Sequence, residues 1–300
     1  MLPIIDTHQH LWDLSQFTLA WADGAPALNH SYLQSDYAAA TAGLNVVKAV
    51  YMEVDVDAAQ QVAEARYILD QCERDDTPTV GAVISGRPAS ASFAAYINQF
   101  KDSPAIKGVR QVLHVPETPA GYCLQPAFVE SIQLLGDLGM SFDLCLRPAD
   151  LGDAVKLVDQ CPMTRFVVDH CGNADPNIVA APTDQPRDPG DPFSHTRQQW
   201  MDDMQALADR PNVICKISGI VARATPGQWS AATLAPTVNY CLDTFGPDRV
   251  VFGGDWPVCT LVASYREWAT ALREIIANRS EQDQRKLLYD NAERFYGLGN

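Results

Sequence analysis

Eight short apolar runs punctuate the chain, at residues 4–5, 46–54, 79–85, 105–115, 140–146, 165–170, 213–218 and 249–255. Most are continuous rather than alternating, as in strands buried on both faces of a parallel sheet. Between them the apolar period lengthens. Val62, Ala65, Leu69 and Cys72 recur at helical spacing, and Asp57 with Gln60 three residues on predicts a capping box ahead of them. Further helices are predicted over 93–100, 130–138, 151–161 and 199–208. Two more close the chain, one carrying Trp268, Leu272 and Ile275, the other running from a Ser280 cap through Leu288, Ala292 and Phe295 to Gly297. Eight strands alternating with helices predict an α/β fold, a (β/α)8 barrel forming a single domain over residues 1–300. A doubly wound open sheet is the alternative, but no Gly-x-Gly-x-x-Gly follows the first run.

Two stretches break this rhythm. Residues 11–35 carry Trp12, Trp21 and His30 where a short loop is usual, and read either as a pocket wall or as aromatics packing a loop down. Residues 171–195, rich in proline and aspartate, predict neither helix nor central strand, and so a disordered excursion or a lid.

Composition narrows the function classes. Three hundred residues, 47% of them apolar, can bury a full core. A formal charge of −15 with no Lys/Arg run disfavours nucleic acid and anionic membranes as partners and suits a small-molecule substrate. No apolar stretch approaches the ~18 residues of a membrane helix. The eight cysteines include no Cys-x-x-Cys pair; Cys145, Cys171 and Cys215 lie in or beside strand-like runs, and no signal peptide precedes the first strand. These features predict buried, reduced thiols and a cytoplasmic location. Oligomeric state, a homo-oligomer included, is left open.

The polar residues cluster where the predicted strands end: His8 and His10, Glu53, Arg110 and His114, Asp143, His170, Lys216 and Asp255. In a barrel such ends meet at one mouth, where these folds do their chemistry. His8 and His10, two residues apart on a strand, face one space and can bind a metal or stabilise an oxyanion. Each residue also has a plainer reading. Glu53 can face solvent, His114 can be an edge residue, and Arg110 and Lys216 can close an internal ion pair with Asp143 or Glu53.

These blocks carry a resemblance. Ile-Asp-Thr-His-Gln-His-Leu-Trp-Asp (5–13) resembles the amidohydrolase superfamily. Phe-Asp-Leu-Cys-Leu-Arg-Pro (142–148), Val-Asp-His-Cys-Gly (168–172), Phe-Gly-Gly-Asp-Trp-Pro-Val (252–258) and Asn-Ala-Glu-Arg-Phe-Tyr-Gly-Leu (291–298) resemble its amidohydrolase-related, metal-dependent TIM-barrel branch. That branch includes sugar-acid lactonases. The resemblance implies a catalytic core of His8, His10, His170 and Asp255. The chain departs from binuclear members, because strand four offers Arg110 and His114 rather than a bridging lysine or glutamate. One divalent ion, zinc first, held by His8, His10 and Asp255, or no metal at all, fits better. The expected activity is hydrolysis of a sugar-acid lactone. Asp255 would activate water, the histidines would polarise the carbonyl, and Arg110, Lys216, His114 and Glu53 would bind substrate. A mononuclear-metal decarboxylase or amide hydrolase of the same superfamily is the alternative, and a non-catalytic sugar-acid binder a third.

Overall fold

The computed structural model of the chain describes residues 1–186, 191 and 193–299. Eight strands pair in sequence order, all parallel: β1 (Ile4–Gln9), β2 (Val46–Met52), β3 (Thr79–Ser85), β4 (Ile106–Val112), β5 (Ser141–Cys145), β6 (Arg165–Val168), β7 (Val213–Ile217) and β8 (Val250–Phe252). The seam between β8 and β1 is closed by a Gln9–Trp256 parallel bridge and by three hydrogen bonds. Asp255 N donates to His8 O (2.9 Å), His10 N to Trp256 O (2.8 Å) and Thr7 Oγ1 to Phe252 O (2.7 Å). The sheet is therefore a barrel, and the open-sheet alternative falls.

Alternation along the strands divides the core in two. On β7, Val213, Cys215 and Ile217 join the larger cluster between strands and helices, while Ile214 points the other way. The larger cluster includes Phe128 on the helix Pro126–Asp137, edge-on to Phe142 of β5 at 5.6 Å between ring centroids. Burying each such side chain contributes about 1.5–3 kcal/mol. The smaller cluster joins Ile5, Val50, Met52, Val83, Val167, Ile214 and Val251 to Ala292, Tyr296 and Leu298. The C-terminal segment thus plugs the base of the barrel. As its sequence predicts, that segment starts at a Ser280 cap, which accepts from Asp283 N (3.1 Å), and stops at Gly297, whose φ of 59° is left-handed.

Two readings need correction, and two helices lie beyond what the sequence pattern predicts. Asp57 makes no side-chain cap, and Gln60 instead ties the first long loop, accepting from Thr18 N (2.7 Å) and donating to Gln16 O (3.1 Å). The helix Gln34–Thr41 has almost no apolar period to announce it. The helix Ala231–Phe245 contains Pro236, which reads as a breaker but is accommodated near the N-terminus, behind a Ser230–Thr233 capping box. The stretch 171–195 does form a short helix, Pro176–Val179, with Asp175 capping it and proline at its first position, where no N–H is needed. Residues 187–190 and 192 of the expected lid lie outside the described residues. All eight cysteines are free. Among the described residues no helix is long and apolar enough to cross a membrane.

Candidate active site

The site is assembled from the seam outward. Asp6 Oδ1 accepts from His8 N (2.9 Å) and Gly254 N (2.7 Å), and its Oδ2 accepts from Tyr37 Oη (2.8 Å). One buried carboxylate thereby fixes β1 to the loop that carries Asp255. Three imidazoles then converge on Asp255 Oδ1: His10 Nε2 at 3.5 Å, His8 Nε2 at 3.7 Å and His170 Nε2 at 4.0 Å. His10 Nδ1 lies 3.0 Å from the Met52 carbonyl, which can only accept, so the proton is on Nδ1 and Nε2 presents a lone pair. His170 Nδ1 lies 2.9 Å from Ser218 Oγ. Gly219 lies so close to the His170 ring that a β-carbon there would collide with it. His170 and Asp255 both have left-handed backbone, φ 53° in each.

Beneath this cluster lies a layer of buried ion pairs. Arg110 donates through Nε to Glu53 Oε1 (2.7 Å) and through Nη2 to the Glu53 carbonyl (2.7 Å). Lys216 Nζ lies 2.7 Å from Asp143 Oδ2 and 2.9 Å from Asp169 Oδ1, and Asp169 Oδ2 is 3.6 Å from Arg110 Nη1. The internal ion pair foreseen as the plainer reading is what the barrel contains, and Glu53 is fully buried rather than turned to solvent. His8 sits between the two cations, Nδ1 3.3 Å from Lys216 Nζ and Nε2 3.4 Å from Arg110 Nη1. Burial and then the Lys216 charge push its pKa well below the ordinary imidazole value. Burial lowers that of His170 as well. Both rings are therefore neutral at physiological pH. Burial pushes Asp143 up to about 7 despite Lys216, whereas the Lys216 charge holds Asp169 well below the carboxylate range against its own burial.

His8, His10 and Asp255 bring three buried donor atoms within 4.8 Å of one another. Zinc bonds of about 2.0–2.2 Å place neighbouring ligand atoms roughly 3.4 Å apart, close to the spacings around Asp255 Oδ1. A lone pair on His10 facing a carboxylate oxygen also calls for a cation or a shared proton between them. The local charge agrees: Glu53, Asp143, Asp169 and Asp255 face Arg110 and Lys216, an imbalance that one divalent ion, or added protons, would offset. The residues fit a single divalent metal.

Above the cluster opens a pocket of about 320 Å3, lined by His10, Arg110, His114, His170 and Asp255 and walled by Trp12, Trp21, Leu28, Val258 and Leu261. The 11–35 loop forms part of that wall. His8, Glu53 and Lys216 lie under the floor and do not line the pocket. His114 reaches it beside Phe193, at 5.1 Å between rings, and burial followed by the Arg223 charge pushes its pKa down to about 3. Two residues escaped the sequence reading. Asp169, next to His170, is the hub of the ionic layer. Arg223, four residues beyond Gly219 in the loop after β7, lines the pocket with its guanidinium carbon 3.1 Å from the Phe193 ring centroid. Among the described residues that guanidinium has no ion pair or hydrogen bond. Loops that follow barrel strands face the mouth, and that rule would have found Arg223.

Residues 5–298 match the family model described as amidohydrolase. The chain is 26% identical to an L-fucono-1,5-lactonase of Burkholderia multivorans, over 98% of this chain and 96% of that protein. Among solved structures it is similar to amidohydrolase 2 from Bifidobacterium longum subsp. infantis (27% identity, TM-score 0.71, 99% of each chain). It also shares its fold with an amidohydrolase from Burkholderia multivorans solved with bound zinc (22% identity, TM-score 0.83, 99% of this chain and 100% of that one).

Proposed function

The chain belongs to the amidohydrolase family, and from that premise we propose that it is a hydrolase that opens the ring of a sugar-acid lactone. The observation that carries the reading is the convergence of three imidazole Nε2 atoms on one carboxylate oxygen at the floor of a pocket. The resemblance to an L-fucono-1,5-lactonase along nearly its whole length supports the substrate class.

The lactone ring lies against Trp12 and Trp21 with its carbonyl toward the floor. Asp255 takes the proton of the attacking water, a general-base contribution of roughly 10²–10⁴-fold. His170 is neutral; with Nδ1 accepting from Ser218 Oγ, its Nε2–H faces the pocket and donates to the carbonyl oxygen as that oxygen gains charge. His8, neutral, and His10, held through Nδ1 by the Met52 carbonyl, turn their Nε2 atoms toward the same point. A divalent ion held there by His8, His10 and Asp255 would supply Lewis-acid polarisation and a more acidic water. The proton on Asp255 then passes to the ring oxygen, which leaves as the new hydroxyl. Arg110 and Lys216 contribute mainly from below, holding Glu53, Asp143 and Asp169 and keeping His8 neutral.

The test is a pH-indicator screen of aldono-1,4- and 1,5-lactones, with and without chelator, on the wild type and Asp255→Asn. Turnover of at least one lactone is expected. The variant should lose about 10²–10⁴-fold of it while keeping its circular dichroism and Tm. A variant that opens lactones at the wild-type rate, or a wild type inert across the panel, overturns the reading.

A further inference from the structure

Behind His170, in the apolar layer outside the barrel wall, three thiols from three separate elements meet. Cys171 lies in the turn that follows β6, Cys215 on the outer face of β7, and Cys241 on the helix Ala231–Phe245. All three are completely buried, their sulfurs lie within 4.8 Å of one another, and none lines the pocket. We propose that Cys171, Cys215 and Cys241 form a binding site for a trivalent thiophilic metalloid, with arsenite as its representative, distinct from the His–Asp cluster.

Charge decides the class of ligand. Three thiolates around a divalent ion would leave a net negative charge in an apolar layer, and among the described residues no imidazole or carboxylate completes this donor group. A buried charge without a partner is strongly disfavoured. Three thiolates around a trivalent centre are neutral. The step balances without an oxidant or reductant: As(OH)3 and three thiols give As(S–Cys)3 and three waters. Three As–O bonds break, three As–S bonds form, and each thiol proton leaves on a water. Metal–sulfur bonds of about 2.3 Å set neighbouring sulfurs roughly 3.7 Å apart, so the cluster has at most about an ångström to close. Little opposes that closure. The thiols already hydrogen-bond to one another, Cys171 also to the Ser218 backbone, and the bond from Cys171 Sγ to the Lys216 carbonyl is a long 3.8 Å.

The site is also wired to the pocket. Cys171 directly follows His170 in the same left-handed turn, and its carbonyl accepts from Trp200 Nε1 (2.9 Å). Drawing Cys171 toward Cys215 and Cys241 should shift both the His170 ring and the surroundings of Trp200.

The test is native mass spectrometry of the whole folded chain with sodium arsenite, alongside thiol titration and tryptophan fluorescence. One arsenic per chain is expected, with three hydrogens lost, three of the eight thiols becoming unreactive and the fluorescence changing in step. Cys241→Ala, or Cys241→Ser should the alanine variant not fold, should lower the affinity at least tenfold and leave lactone turnover unchanged. Cys72→Ala, outside the cluster, should bind as the wild type does. No adduct after prolonged incubation, or an adduct of equal affinity in folded Cys241→Ala, overturns the proposal. So does one-to-one binding of cadmium by the three thiols with no binding of arsenite.

Discussion

The two sides of the barrel mouth are built on opposite principles. Along the β8–β1 seam, His8 and His10 stand 3.7 and 3.5 Å from Asp255, too far for good direct hydrogen bonds and close enough to share a proton, an ion or a substrate atom with it. Across β2, β4, β5 and β7, Glu53, Arg110, Asp143 and Lys216 close on one another at 2.7 Å. The first group has chemical capacity left over, whereas the second turns most of its charge inward, with Asp143 Oδ1 still lacking a hydrogen-bond partner among the described residues. Charge at a strand end therefore does not mark a reactive residue; unmet valence does. By that measure Arg223, a pocket cation with no ion pair among the described residues, belongs with the seam rather than with Arg110 and Lys216.

The sharpest way to break this comparison is Lys216→Met, which removes the partner of Asp143 and Asp169. Stability should fall by about 3–5 kcal/mol, read from urea midpoints, because buried carboxylates are left unpaired. Loss of activity at unchanged stability would move Lys216 to the reactive side. Next comes His170→Ala. Here kcat should drop about a hundredfold, ~3 kcal/mol, with little change in Tm; a large loss of Tm with normal kcat would make His170 structural. Arg223→Gln is expected to raise KM about tenfold and leave kcat alone, since a charged hydrogen bond to substrate is worth about 1.5–3 kcal/mol. An unchanged KM for every lactone turned over removes Arg223 from substrate binding.

The smallest effect is a pH slope. Burial holds His8 and His170 below the ordinary imidazole pKa of about 6.5. As pH falls below that value the unfolded chain takes up protons that the fold refuses. The stability they confer is therefore complete above about pH 6.5 and declines below it, by at most about 1.4 kcal/mol per pH unit for each ring. Asp143, pushed up to about 7, acts with the opposite sign and gains stability as pH falls, so the imidazole contribution is read as a difference: from about pH 8 to pH 5 the Tm of the wild type should fall relative to that of His8→Asn. A wild-type Tm that holds or gains relative to His8→Asn on acidification contradicts the neutral-imidazole assignment.

Much of this was legible in the sequence, because continuous apolar runs mark strands buried on both faces and strand ends in a barrel converge. The eight strands, the seam histidines and Asp255 followed from those two facts. Pairing could be named from the sequence as an alternative but not decided. Arg110 finds Glu53 two strands away across the barrel interior, and no spacing along the chain distinguishes that from an Arg110 free to bind substrate. Asp169 was hidden by its neighbour His170, since adjacent residues at a strand end look equally placed until the turn is built. Pro236 concealed a 15-residue helix whose buried face, Leu234, Val238, Cys241 and Phe245, keeps a regular helical spacing. The loop carrying Arg223 has no periodicity to draw attention to it.

The left-handed backbone at His170 and Asp255 has a consequence of its own. His and Asp tolerate that conformation better than most side chains, yet holding one there still costs of order 1 kcal/mol or more at each position. Glycine would relieve it at both. A lineage released from the need for catalysis would therefore gain stability by losing these two side chains first. The same strain makes the site a poor target for engineering by stability alone, since selection of hardier variants would tend to erase the chemistry before it touched the barrel.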